Sequence, residues 1–241
     1  MSLFIFSSSV GRKLVMSISG VFLVLFLTFH MVMNLVALFS PEGYNLICKF
    51  LGANWYALVG TKILALGFLV HIVYAFVLYI QNRRARGSDA YAVTTRPKGV
   101  EWASKNMLVL GVAVFAFLGL HLYDFWAKMQ LVEILHKLGY HVDSFAYEKA
   151  TDGAYHIQNT FADPIHTGLY LIGLGALWFH LTHGFWSAFQ SMGINNKTWF
   201  CRLKWIGYIY STLLIGGFAL VVVFYFAKAN GIFAYLFYFQ S

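Results

Sequence analysis

Charge is scarce in this sequence. Only 11% of its 241 residues are Asp, Glu, Lys or Arg, against roughly one quarter in an average soluble domain, so water is not its main solvent. Cysteine is nearly absent as well. The two present, Cys48 and Cys201, belong to no C-x-x-C-H sequence, which argues against covalently attached haem c. They fall near opposite membrane faces in the topology set out below, so they do not pair with each other. There is no Walker loop, no dinucleotide-binding glycine pattern, no fixed-period repeat and no low-complexity tract. These absences exclude the common nucleotide-binding and repeat architectures.

What fills the chain is apolar: 60% of it is hydrophobic. Five long apolar stretches, 14–39, 55–81, 103–127, 164–190 and 204–229, are each long enough for a hydrocarbon core of about 30 Å, which takes about 20 helical residues. Helices are expected rather than a barrel, because backbone groups in lipid must be satisfied within the segment and strand-like alternation is missing. The first stretch follows Arg12 and Lys13 as a signal peptide would, yet it is too long for one and lacks an Ala-x-Ala-like cleavage site. The expected fold is an all-α integral membrane bundle of five transmembrane helices, one domain over residues 1–241.

Basic residues give the orientation. With the N-terminus cytoplasmic, the inner segments hold Arg12, Lys13, Arg83, Arg84, Arg86, Arg96, Lys98, Lys105, Lys197, Arg202 and Lys204, eleven of the 17 basic residues, but only Asp89 and Glu101 of the nine acidic ones. The bias says N-in and C-out across a cytoplasmic membrane. The net charge of +8 is thus a topology signal plus a basic inner face suited to a docked soluble partner or anionic lipid, and calls for no nucleic acid. The longest outer connection, 128–163, carries His136, His141 and His156, read as exposed loop histidines.

Histidines inside the spans carry the chemistry. His30, His71, His121 and His180 put one imidazole on each of the first four helices, and an ionisable group at membrane depth is costly enough to need a reason. His30 lies 17 residues after Lys13 and His121 lies 16 after Lys105, some 24–26 Å from the inner charges at ~1.5 Å per residue. On the descending helices, His71 precedes Arg83 and His180 precedes Met192 by 12 residues each, about 18 Å by the same rise. Two depth-matched pairs result, His30 with His121 in the outer half and His71 with His180 further in, each able to clamp one haem iron. Gly67 and Gly184, four residues from His71 and His180, share a helix face with them and leave room for a porphyrin, though glycine also serves helix packing. Asn34 and Asp124 follow His30 and His121 by four and three residues, placed to orient a ligand or move a proton. His183, three residues after His180, competes with it as the ligand.

The segment His180-Leu-Thr-His-Gly-Phe-Trp-Ser187 resembles the H-x-x-x-G pattern around a haem-ligand histidine in membrane subunits of succinate:quinone oxidoreductases and fumarate reductases, and that register selects His180. With Ser17-Ile-Ser-Gly20 and Phe29-His-Met-Val-Met-Asn-Leu35 on the first span, the likeness covers essentially the whole chain. It is to the single-polypeptide, five-helix, dihaem cytochrome b anchor. The resemblance implies His30 and His121 as ligands of an outer haem b, His71 and His180 of an inner one, and Ser17 and Ser19 near the inner haem's propionates. It also implies a flavoprotein with FAD and an iron–sulfur subunit docked on the cytoplasmic face, with electrons exchanged with a quinone, expected to be menaquinone, near the outer haem. Some members carry a proton-compensating glutamate where this chain has Trp178, which speaks against that pathway here.

Polar groups at the outer depth are Asp124, Asp163 and His166, the candidates for quinone binding or proton transfer. His166 lies 14 residues before His180, a rotation about 40° short of four turns and a rise of ~21 Å, which directs it to the bundle interior near the outer pair. The alternative for His166 is a headgroup-level residue capping its helix beside Pro164. Two other readings of the whole remain open to the sequence: a cytochrome b of a nitrate reductase or hydrogenase complex, and a haem-free transporter or anchor, which lacks the paired broken helices or repeated half of many transporters.

Overall fold

The computed structural model describes residues 8–86, 102–194 and 196–232. Arg96, Lys98, Asp89 and Glu101, used above for orientation, lie outside the described residues. All regular structure among the described residues is helical: α1 Ser9–Phe39, α2 Pro41–Phe50, α3 Trp55–Arg86, α4 Trp102–Lys105, α5 Met107–His121, a π-helical turn at Leu122–Trp126, α6 Gln130–Lys137, α7 Ser144–Lys149, α8 Gly153–Ala162, α9 Pro164–Ser191 and α10 Lys197–Ala229.

Among the described residues, four segments have the length and apolarity to cross a membrane: Ser9–Phe39, Trp55–Ala85, Met107–Trp126 and Thr198–Ala229. Their large apolar side chains are turned outward, among them Leu25, Phe29, Ile63 and Leu66, a surface that suits lipid and would aggregate in water. α9 is 28 residues long, but His166, Thr167, His180, Thr182 and His183 interrupt its apolar run. It does not match the apolarity of the other four.

The chain divides into two compact units. One comprises Met1–Leu27, Lys62–Val112 and Trp178–Thr212; the other comprises Thr28–Thr61, Ala113–Leu177 and Leu213–Ser241. In the first, Phe22 packs its ring on Gly67, and Phe185 packs on Gly207. Tyr210 donates to the Val24 carbonyl at 3.4 Å, and Trp178 donates to Thr212 at 3.0 Å.

The second unit is tied by polar bonds between short helices, and here the structure departs from the loop expected over 128–163. Ser40 caps α2 by accepting from Gly43 N at 2.9 Å, with Pro41 in the first turn, the N-terminal arrangement that proline and serine favour. Asp143 caps α7 and Asp152 caps α8. Asn45 bridges α2 to α8, donating to Asp152 at 2.8 Å and accepting from Ala154 N at 2.9 Å. Glu133 and Lys137 on α6 bind the amide and carbonyl of Ala53. His141 and His136 are exposed as expected, His136 stacking on Tyr147 at 3.7 Å. His156 is instead buried, its Nε2 3.0 Å from the Lys149 carbonyl, because α8 turns it into the unit. Burial lowers its pKa.

Candidate functional site

Two histidine pairs form, one within each unit. In the second unit, His30 of α1 meets His121 at the end of α5, ring centroids 5.7 Å apart and planes at 86°. In the first, His71 of α3 meets His180 of α9, centroids 6.3 Å apart and planes at 66°. All four rings are half-buried. One iron between two imidazoles, each nitrogen about 2 Å from the metal, sets ring centres roughly 6 Å apart, so the donor type and spacing of both pairs suit two imidazoles that would hold one haem iron. His183 packs its ring against Trp186 at 4.8 Å, while His180 is the α9 imidazole opposite His71.

Each pair has distinct surroundings. His121 is lined by Phe117, Phe125 and Tyr170, and His30 by Phe218. Asn34 donates to the His30 carbonyl at 2.8 Å and accepts from Tyr44 at 3.1 Å, so it braces the helix backbone rather than an imidazole. On α1, Ser17 donates to the Lys13 carbonyl at 2.9 Å. Ser19 donates to the Met16 carbonyl at 2.9 Å, and its oxygen lies 3.2 Å from His71 Nδ1. Open space adjoins Gly184, whereas Gly67 is covered by Phe22.

The three outer polar candidates come together in one network. Asp124 sits in the π-helical turn just after His121 and is 1% exposed. Its carboxylate accepts from the Tyr170 hydroxyl at 3.1 Å and from Lys128 Nζ at 3.2 Å, and His166 Nε2 lies 3.8 Å away. His166 Nδ1 is 2.6 Å from Asp163 Oδ2, an oxygen that also accepts the His166 backbone N–H at 3.0 Å. Those hydrogen bonds hold the Asp163 carboxyl below its ordinary range. His166 therefore stands between a buried carboxylate, which it approaches without a hydrogen bond, and an exposed one that it does bond, while Asp163 caps α9.

Tyr170 and Lys128 are missing from the sequence reading. Both were within reach of it: Tyr170 lies four residues after His166 and Lys128 four after Asp124, the spacing at which helical side chains meet. The π turn that buries Asp124 has no comparable sequence signal. Such turns recur at functional sites.

Comparison with known protein families, curated proteins and solved structures finds no match to this chain.

Proposed function

We propose that the chain is the membrane-anchor cytochrome b subunit of a succinate:quinone oxidoreductase or fumarate reductase, of the single-polypeptide five-helix type, with α9 as the fifth crossing and the N-terminus cytoplasmic. His30 with His121, and His71 with His180, would hold two haems b. Bound there, haem supplies one-electron transfer by cycling its iron between ferric and ferrous. A FAD flavoprotein carries the dicarboxylate chemistry, and an iron–sulfur subunit joins it to this chain at the basic inner face. Menaquinone is the membrane partner, in a cytoplasmic or inner membrane.

The observation that carries this reading is the pairing: imidazoles from four different long helices meet two by two, with centroids at 5.7 and 6.3 Å. Neutral imidazole is the axial donor that haem iron takes. The chain's own residues would also serve the quinone, whose two-electron reduction consumes two protons. Asp124, with Tyr170 behind it and His166 leading to the surface, supplies acid–base groups of the kind that step needs. Purification of the full complex with pyridine-haemochrome quantification tests the reading. Two b haems per chain are expected, and a protein free of haem overturns it.

A further inference from the structure

Resting on the reading of His71 and His180 as ligands of one iron, we infer that Ser19 is a positioning residue for that iron, fixing the tautomer and raising the donor strength of His71. The hydroxyl has one hydrogen, and the Met16 carbonyl takes it at 2.9 Å. What faces His71 Nδ1 at 3.2 Å is therefore an oxygen lone pair. Nδ1 carries the ring's hydrogen and donates it to Ser19, which leaves Nε2 unprotonated as the metal donor. The bond is sheltered, since Ser19 is 7% exposed. The next residue, Gly20, lies beside the same ring: a Cβ there would meet it in ordinary contact, 3.4 Å from His71 Cε1 and 3.8 Å from Nδ1.

The opposite ligand has no such support. His180 Nδ1 is buried and has no hydrogen-bond partner among the described residues. The two axial imidazoles of this iron are thus unequal, one strengthened by an acceptor behind it and the other not. An acceptor on the far nitrogen makes a ligating imidazole more basic, which favours ferric over ferrous iron and lowers the potential. The Ser19 oxygen is committed to this bond, so it serves the ligand's back rather than the propionates that the family likeness implies for it.

The test uses the full complex in native membranes with Ser19→Ala, Ser19→Thr and, to identify the wave belonging to this iron, His71→Ala. Haem content is measured first and each haem is then titrated at its reduced absorption band. Ser19→Ala should keep two haems and move the His71 wave alone to higher potential. A tenfold loss of the ferric preference corresponds to about 59 mV for one electron. Ser19→Thr, which keeps the hydroxyl, should restore the wild-type value. Both haems present with both waves unmoved in Ser19→Ala overturns the role of Ser19 while leaving the ligands in place. A wild-type complex without haem b, visible in the first measurement, overturns the ligand reading itself.

Discussion

Tyr170 on α9 donates its hydroxyl to the Asp124 carboxylate at 3.1 Å, and both side chains are almost fully buried. A carboxylate 1% exposed is costly to desolvate, and it is retained here by Tyr170, Lys128 and the nearby His166. Tyr170 also packs its ring against His121, centroids 6.3 Å apart. An acid–base group thus stands one side chain away from a proposed haem ligand.

Asp124→Asn keeps the shape and a hydrogen-bonding head but removes the charge. Positioned acid–base groups contribute about 10²–10⁴-fold, so quinone-linked turnover should fall by roughly a hundredfold while dye-linked turnover at the flavoprotein and both haems are retained. Tyr170→Phe deletes one bond to a buried charge, worth about 1.5–3 kcal/mol, and should lower the thermal midpoint with a smaller kinetic loss. Unchanged quinone kinetics in Asp124→Asn would move the site elsewhere.

The histidine pairing predicts selective haem loss. His30→Ala or His121→Ala should each remove one haem, and His71→Ala or His180→Ala the other, as counted by pyridine haemochrome on folded protein. His183→Ala should keep both, because its ring packs on Trp186. Equal loss of both haems from every folded variant would sink the pairing.

The thiols should differ sharply in reactivity. Cys48 is sheltered between Tyr44 and Gly153, and burial pushes its pKa up to about 11, so at pH 8 only about one thiol in a thousand is the reactive thiolate. Cys201 is exposed. Maleimide mass-tagging of the folded protein at pH 8 should modify Cys201 alone, and Cys48 should join only after unfolding or as the pH approaches 11. Rapid double labelling at pH 8 would contradict the packing of α2 on α8.

Membrane character was legible in composition, because long apolar runs leave few alternatives, and the four histidines were legible because ionisable groups stand out against such a background. The short helices over 130–162 were not. Their caps, Asp143 and Asp152, were visible as residues, but what selects helix over loop is the fit of α2 against α8 through Asn45, a contact 107 residues apart in sequence. Ser19 likewise was placed only through the family likeness, near propionates, since nothing in the chain announces that His71 comes to lie beside it. His156 was misread as exposed for the same reason: burial there is decided by tertiary packing.

His166 is bonded to Asp163 and stands 3.8 Å from Asp124, and separating its roles needs both ends changed. Asn caps a helix about as well as Asp, so Asp163→Asn should leave α9 intact and test the charge alone, while His166→Gln keeps hydrogen bonding and removes basicity. If the network carries protons between quinone and surface, His166→Gln should slow quinone-linked turnover about tenfold or more with both haems kept, and Asp163→Asn should slow it less, because its exposed position lets water substitute. The cap has its own pH signature. The Asp163 carboxyl is held below its ordinary range by His166, so its stabilisation is complete above about pH 4, the unfolded carboxylate value, and is lost as pH falls through the lower folded value. Thermal unfolding followed from pH 7 to pH 3 should show an acid step in the wild type that Asp163→Asn lacks. Quinone kinetics unchanged in His166→Gln would reduce His166 to a partner of the α9 cap and end its assignment to proton transfer.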